Sequence, residues 1–292
     1  MKTSGLFTVH RYEIFSENKQ KFYIIPFGDV HFGADLHYDE KFDEWCKKTA
    51  EFAKRNNVYF LGMGDYLDLA STSERAILDN KALHSTTRVT FDDMYRKYVR
   101  RFADKISFMK GKIIAMVNGN HFSNLTTGIN TDQLLCEYLN CHYAGVSCFI
   151  RVFVKNKIKR GNHFDIWAHH GLGGGRTAGA SIMKLEHMMR VATADVYLMG
   201  HDHTKKASMD SVLSLSDSRS GLTLRNRKII LARTGSFLRG YVHDKQSYIA
   251  DAALPPTDLG TVLITCEPIR VSEKVRNKTI KDYTDIDLTV SF

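Results

Sequence analysis

Short apolar runs recur along the chain, separated by stretches in which apolar residues return every third or fourth position. The runs "FYIIPF" (22–27), "VYFLGM" (58–63), "KIIAMV" (112–117), "DIWA" (165–168) and "VYLM" (196–199) have the length and composition of buried strands. Pro26 marks an edge or irregular end of the first. Residues 38–57 place Phe42, Trp45, Cys46, Thr49, Phe52 and Ala53 on one helical face. Residues 91–106 form a second helix, with Phe91, Met94, Tyr95, Tyr98, Phe102 and Ile106 on one side. Its other side carries Arg96, Lys97, Arg100, Arg101 and Lys105. Shorter helices are predicted over 132–140 and 179–193, and a hairpin over 149–168 that turns around 155–163. The polar stretch 71–90 is long for a plain connection. Beyond 206 the pattern becomes short alternating runs, with turns at "SRSG" and "PPTDLG". Strand alternating with helix predicts an α/β chain with a largely parallel buried sheet, followed by antiparallel strands.

Composition narrows this picture. Of 292 residues, 43% are hydrophobic and 25% charged, the profile of a globular protein with a large core. With four prolines and no linker-like, repeated or low-complexity tract, a single domain over 1–292 is expected. Its core would span about 20–265, with 266–292 as a C-terminal extension. Five cysteines without a C-x-x-C pair suit reduced thiols. The N-terminal segment lacks a signal-peptide pattern, and no apolar run approaches the ~20 residues a membrane span needs. A cytoplasmic protein without membrane association is expected. The net charge of +9 favours a polyanionic partner such as nucleic acid.

The polar residues that follow the apolar runs carry the chemistry. Five runs end in "GDVH" (Asp29, His31), "GDYLD" (Asp65, Asp68), "NGNH" (Asn120, His121), "HHG" (His169, His170) and "GHDH" (His201, His203). Open α/β sheets bind ligands outside the carboxyl ends of their strands, so these side chains should share one rim. In an extended segment residues two apart point the same way, which lets Asp29 act with His31 and His201 with His203. A set of Asp, Asn and imidazole donors without thiolate suits Mn²⁺, Fe or Zn²⁺. Seven or eight donors exceed the needs of one such ion and suffice for two, with a carboxylate such as Asp65 able to bridge them.

In this order the motifs resemble the signature of the calcineurin-like metallophosphoesterases: D-x-H, G-D-x-x-D, G-N-H-[ED], H and G-H-x-H. The match spans 28–203, and the β-rich tail to about 265 is compatible with it. The resemblance implies a four-layer α/β/β/α sandwich with two mixed sheets and a dinuclear site at the carboxyl ends of the strands. It implies that Asp29, His31, Asp65 and His203 hold one metal, and that Asp65, Asn120, His169 and His201 hold the other. His121 would be the catalytic histidine beside the scissile phosphate, and Asp68 would orient a ligand from behind. Phe122 stands where the family usually has Glu or Asp, so the partner of His121 must come from elsewhere, with Asp92 or Asp93 as candidates. Of the doubled histidines, His169 is the ligand candidate, and His170 is left to touch substrate or satisfy a backbone group.

The implied reaction is hydrolysis of a phosphate ester by a hydroxide shared between two divalent cations, most suitably Mn²⁺, with His121 assisting the leaving group. A DNA nuclease is the favoured form, because the chain is basic and "GDVHFG" and "HHG" resemble the double-strand-break-repair exonuclease branch. Lys205, Lys206, Arg176 and His170 are the candidate substrate contacts, and Arg233 and Arg239 flank "TGSFLRGY". The alternative is a small-molecule phosphoesterase, acting on cyclic nucleotides or mononucleotides, with 71–90 as a pocket wall.

Overall fold

The structure is a computed structural model, and it describes residues 3–4, 7–70, 84–156, 161–171, 177–218, 221–245, 247–251, 253, 256–275 and 278–292. Two mixed β-sheets pack face to face. The smaller is ordered β12-β11-β3-β4-β5 and comprises β3 (Phe22–Phe27), β4 (Asn57–Gly62), β5 (Ile113–Met116), β11 (Leu263–Val275) and β12 (Lys278–Ser291). Its β3, β4 and β5 run parallel, and β11 and β12 add on antiparallel. The larger is ordered β1-β2-β6-β7-β8-β10-β9. It comprises β1 (Thr3–Ser4), β2 (Phe7–Phe15), β6 (Ser147–Lys155), β7 (Gly161–His169), β8 (Val196–Met199), β9 (Lys205–Ser218) and β10 (Gly221–Thr234). There β8 lies parallel to both β7 and β10, while β6–β7 and β9–β10 are antiparallel hairpins.

Helices cover both outer faces, so the chain is a four-layer α/β/β/α sandwich. On the smaller sheet lie α1 (Asp39–Arg55), α2 (Ser85–Lys105) and α3 (Thr131–Leu139). Phe42 and Cys46 of α1, Val99 and Phe102 of α2, and Leu134 and Leu135 of α3 form one core with Phe27 and Phe60 of the sheet. On the larger sheet lies α4 (Ala178–Met188), whose Leu185 packs on Trp167, Tyr197, Met199 and Leu231. The third core fills the space between the sheets, where Ile24, Leu61, Ile150, Ile166, Val196, Leu198 and Ile230 meet. Burying each such side chain contributes roughly 1.5–3 kcal/mol before entropy is counted. No described helix is long and apolar enough to cross a membrane.

The strand and helix pattern agrees with the sequence except at element edges and at the N-terminus, where β1 and β2 are additional to the predicted elements. The second helix starts at Ser85 rather than 91, because the polar turn "STTRVT" is helical without being amphipathic. The C-terminal strands are longer than their alternation suggested, with β9 and β10 forming a ribbon of 14 residues each. Residues 266–292, expected as an extension, are integral to the sandwich: Cys266, Ile286 and Leu288 belong to the inter-sheet core. The segment 71–83, most of the expected pocket wall, lies outside the described residues.

Candidate metal centre

The carboxyl ends of β3, β4, β5, β7 and β8 converge on one rim, and the chain leaves each strand by a tight turn. Asp29 (φ 47°), His31 (φ 52°), Asp65 (φ 51°), His201 (φ 72°) and His203 (φ 54°) all sit in the left-handed region. Non-glycine residues avoid that region unless their surroundings hold them there. The holding bonds are present. The backbone N–H of Asp29 donates to the Gly64 carbonyl at 2.9 Å, and that of His31 to the Asp65 carbonyl at 3.0 Å. The Asp29 carboxylate accepts from the His201 N–H at 2.9 Å, and Asp65 Oδ1 accepts from those of Asn120 and His121 at 2.7 and 2.9 Å. Two glycines make room for this. A Cβ on Gly119 would lie 2.1 Å from Asp65 Oδ1, and one on Gly200 would lie 2.5 Å from Asp29 Oδ2. Side chains two apart are therefore brought to the rim by left-handed turns, rather than by the extended alternation expected from sequence.

Three overlapping groups of donor atoms result, each with its atoms within 4.8 Å of one another: Asp29, His31 and His203; Asp65, His170 and His201; and His31, Asp65 and His121. In the first, His31 Nε2 and His203 Nε2 are 3.1 Å apart and Asp29 Oδ1 is 3.6 Å from His203 Nε2. In the second, His170 Nε2 lies 3.1 Å from Asp65 Oδ2 and 3.3 Å from His201 Nδ1. Asn120 Oδ1 joins it, 2.8 Å from His170 Nε2 and 3.0 Å from His201 Nδ1. Asp65 Oδ2 is also 3.8 Å from His31 Nε2, so this carboxylate faces both groups.

The orientation of the imidazoles tests whether these groups suit a cation. His31 Nδ1 is 3.2 Å from Asp68 Oδ2, and His170 Nδ1 is 2.8 Å from the Met63 carbonyl. Each Nδ1 thus has an acceptor for its proton, which leaves Nε2 as a lone pair aimed into the group. Lone pairs and carboxylate oxygens then face one another in a buried place, an arrangement that needs positive charge between them. In the protein alone protons fill that need. Burial opposes the His170 imidazolium, but the Asp65 charge and hydrogen bond raise it to about 9. Burial likewise opposes the Asp65 carboxylate, yet His170 holds it well below the usual range. Burial pushes Asp29 up to about 7, and burial with the charge of His170 lowers His201 to about 4. Divalent cations would replace those protons, so the donor set fits two ions.

Of the doubled histidines, His170 and not His169 enters the donor groups. His169 is the last residue of β7 and shares the parity of Trp167, so it turns to the outer face. There its ring stacks on Trp167 at 5.4 Å, and its Nδ1 accepts from the Gly171 N–H at 2.7 Å. The following residue turns inward.

The partner of His121 is Asp68, with His121 Nδ1 2.9 Å from Asp68 Oδ2. The same carboxylate oxygen serves His31, so one acid behind the site orients two imidazoles. Asp92, the alternative, instead accepts from the Thr126 N–H at 3.2 Å and from its hydroxyl, and fixes the loop beyond His121. Asp93 is exposed on α2. His121 Nε2 lies 3.9 Å from Asp65 Oδ2, at the edge of the donor groups, with its side chain 24% exposed.

The expected substrate contacts divide differently. Lys205 Nζ is engaged by Asp258 at 3.4 Å and the Leu259 carbonyl at 3.3 Å. Adjacent residues of a strand face opposite sides, so Lys205 and Lys206 do not act on one phosphate together. Arg176 lies outside the described residues. Arg233 is fully buried beneath α4 rather than facing a ligand. Arg239 lies over the Tyr38 ring at 4.7 Å.

Sequence reasoning missed Asp132. This buried carboxylate in the first turn of α3 accepts from the Gly119 N–H at 3.1 Å and steadies the turn that carries Asn120. Burial pushes it up to about 7. The readable signal was the capping box at the start of α3, where Asn130 and Gln133 exchange hydrogen bonds at 2.8 and 2.9 Å.

No family profile matches this sequence, and no curated protein matches it. Among solved structures, it is similar to the calcineurin-like phosphoesterase YfkN from Bacillus subtilis, with 10% identity and a TM-score of 0.41 over 92% of this chain and 90% of that one. What this chain can do is therefore read from its own donor groups.

Proposed function

We propose that this chain is a metal-dependent phosphoesterase of the calcineurin-like type that acts on phosphodiesters of nucleic acid. One observation carries the reading: two groups of oxygen and nitrogen donors, Asp29–His31–His203 and Asp65–His170–His201, lie side by side, with Asp65 Oδ2 3.1 Å from His170 Nε2 and 3.8 Å from His31 Nε2. Divalent cations held there would supply Lewis-acid charge to phosphate oxygens and lower the pKa of coordinated water. Asp65 Oδ2 serves both groups, Asn120 Oδ1 completes the second, and the left-handed turns fix the distance between them. His121 stands at the edge with Nε2 toward the site and Nδ1 bonded to Asp68. From that position it can give a proton or hydrogen bond to a departing oxygen.

Nucleic acid is favoured as substrate by the surroundings. Asn120 is exposed, and His201 and His203 are partly exposed, so the rim can be reached from solvent. Beside it, Arg101 of α2 lies 5.9 Å from the ring of Phe32, the residue after His31, and 5.4 Å from that of Tyr98. Arg100 lies 5.5 Å from the Tyr138 ring. These arginines, together with a net charge of +9, suit a phosphate backbone.

The test is a Mn²⁺-supplemented panel of single- and double-stranded DNA, RNA, cyclic nucleotides and an aryl phosphodiester. Cleavage of a polymer, with binding that falls steeply as salt rises, is the expected result. Cleavage of cyclic nucleotides or mononucleotides alone, without salt dependence, would replace the nuclease with a pocket enzyme.

A further inference from the structure

We propose that Arg233 is the positioning residue of the metal centre: it clamps the turn between His201 and His203 to helix α4 and so sets where both imidazoles stand. The inference rests on the metal-centre reading above and adds a residue to it that touches neither donor group.

Arg233 lies near the end of β10, on the face that carries Ile229 and Leu231 beneath α4. An apolar residue is what that register calls for, yet the position holds an arginine with no exposed surface. Its Nη1 donates to the Gly200 carbonyl at 2.9 Å, and its Nε donates to the Ser181 carbonyl of α4 at 3.0 Å. The Asp202 carboxylate lies 3.3 Å from Nε.

Asp202 is itself tied on every side. Its Oδ2 accepts from the Ser181 hydroxyl at 2.5 Å, and its Oδ1 accepts from the Thr204 hydroxyl at 2.9 Å. The Ser181 and Thr204 hydroxyls lie 3.1 Å apart. Gly200, Asp202 and Thr204 are thus all held from the outer side. Between them His201 and His203 keep left-handed backbones and aim inward, one to each donor group.

The arrangement is costly as a device for stability. A buried ion pair is commonly worth no more than the apolar residues that could replace it, and Arg233 Nη2 has no partner among the described residues. Strained residues persist only where their neighbours over-determine them, and this network supplies that constraint for two of the five left-handed ligands.

The experiment uses the full-length chain stripped of metal, as wild type, R233M, R233K and D202N. Each is titrated with Mn²⁺ by calorimetry, the bound Mn²⁺ is examined by electron paramagnetic resonance, and the metal-free protein is melted. R233M should bind Mn²⁺ about 10–100-fold more weakly, with an altered signature of the coupled ions, while its metal-free melting temperature falls because the buried Asp202 carboxylate loses its partner. R233K keeps one donor for the Gly200 carbonyl and should recover part of the affinity, and D202N should weaken binding in the same direction. Wild-type affinity and signature in a folded R233M, whatever its melting temperature, would overturn the proposal. Should R233M fail to fold, unchanged Mn²⁺ affinity in D202N would overturn it instead. A wild type that binds no Mn²⁺ removes the metal-centre reading itself, a failure seen before any variant is compared.

Discussion

The inter-sheet core and the rim above it are built from the same strands under opposite rules. Within the sandwich, Ile24, Leu61, Val196 and Leu198 are fully buried, regular in backbone and apolar. A few residues further along each strand, Asp29, Asp65 and His201 are polar, left-handed in backbone and crowded with like groups. The core stabilises the fold and asks for nothing else. The rim sets lone pairs against carboxylates and is held by the hydrogen bonds of Asp29, Asp65, Asp132 and Arg233. Stability and chemistry are therefore separable along a single strand, and substitutions can pull them apart.

The largest expected effect is on the rim. Asp65→Asn should lose Mn²⁺ binding and lower turnover on the order of 10³-fold or more, measured by calorimetry and phosphodiester cleavage. His121→Ala should keep both ions and lose about 10²–10⁴ in turnover. Equal loss of metal and activity would instead assign His121 to the donor group it shares with His31 and Asp65. In the core the order reverses. Ile150→Ala should cost about 2–5 kcal/mol in denaturant unfolding and leave turnover per folded molecule unchanged. A loss of activity there beyond the unfolded fraction would mean that the two regions are coupled.

Asp132 links them and gives a smaller, pH-dependent effect. Burial raises its native pKa from 3.8 to about 7, so between those values the native state binds more protons than the unfolded chain. The contribution of Asp132 to the stability of the metal-free protein should therefore fall as pH rises from about 4 to 7, while His201, lowered to about 4, contributes in the opposite sense. Asp132→Asn should flatten that fall by on the order of 1–3 kcal/mol across the window, read from unfolding midpoints. Asp29, raised to about 7 by burial, acts in the same sense and leaves a residual slope. The smallest effect is expected at the first of the paired histidines. His169→Ala should leave Mn²⁺ affinity unchanged, because its ring packs on Trp167, whereas His170→Ala should weaken it.

How far the molecule could be read from sequence follows the same division. Apolar runs announce β3, β4, β5 and β8, and the polar endings place Asp29, Asp65, Asn120 and His201 on one rim, because strand periodicity and carboxyl-end binding are local rules. The choice of His170 over His169 turned on strand parity at one residue, which periodicity locates only to within that residue. Asp68 as the partner of His121, and Asp92 as a holder of the next loop, depend on contacts across 53 and 34 positions of sequence. Arg233 stood out in sequence only as a cation flanking "TGSFLRGY", and the packing of α4 on β10 shows it buried. The sequence carried the chemistry of the site, and tertiary contacts decided which residue performs each part.

The most direct test of the account is the number of Mn²⁺ ions bound by the metal-stripped chain, measured by calorimetry together with electron paramagnetic resonance. The shared Asp65 carboxylate predicts two ions per chain with a magnetically coupled signature, abolished in Asp65→Asn. A single uncoupled ion, or two ions that survive Asp65→Asn, would contradict it.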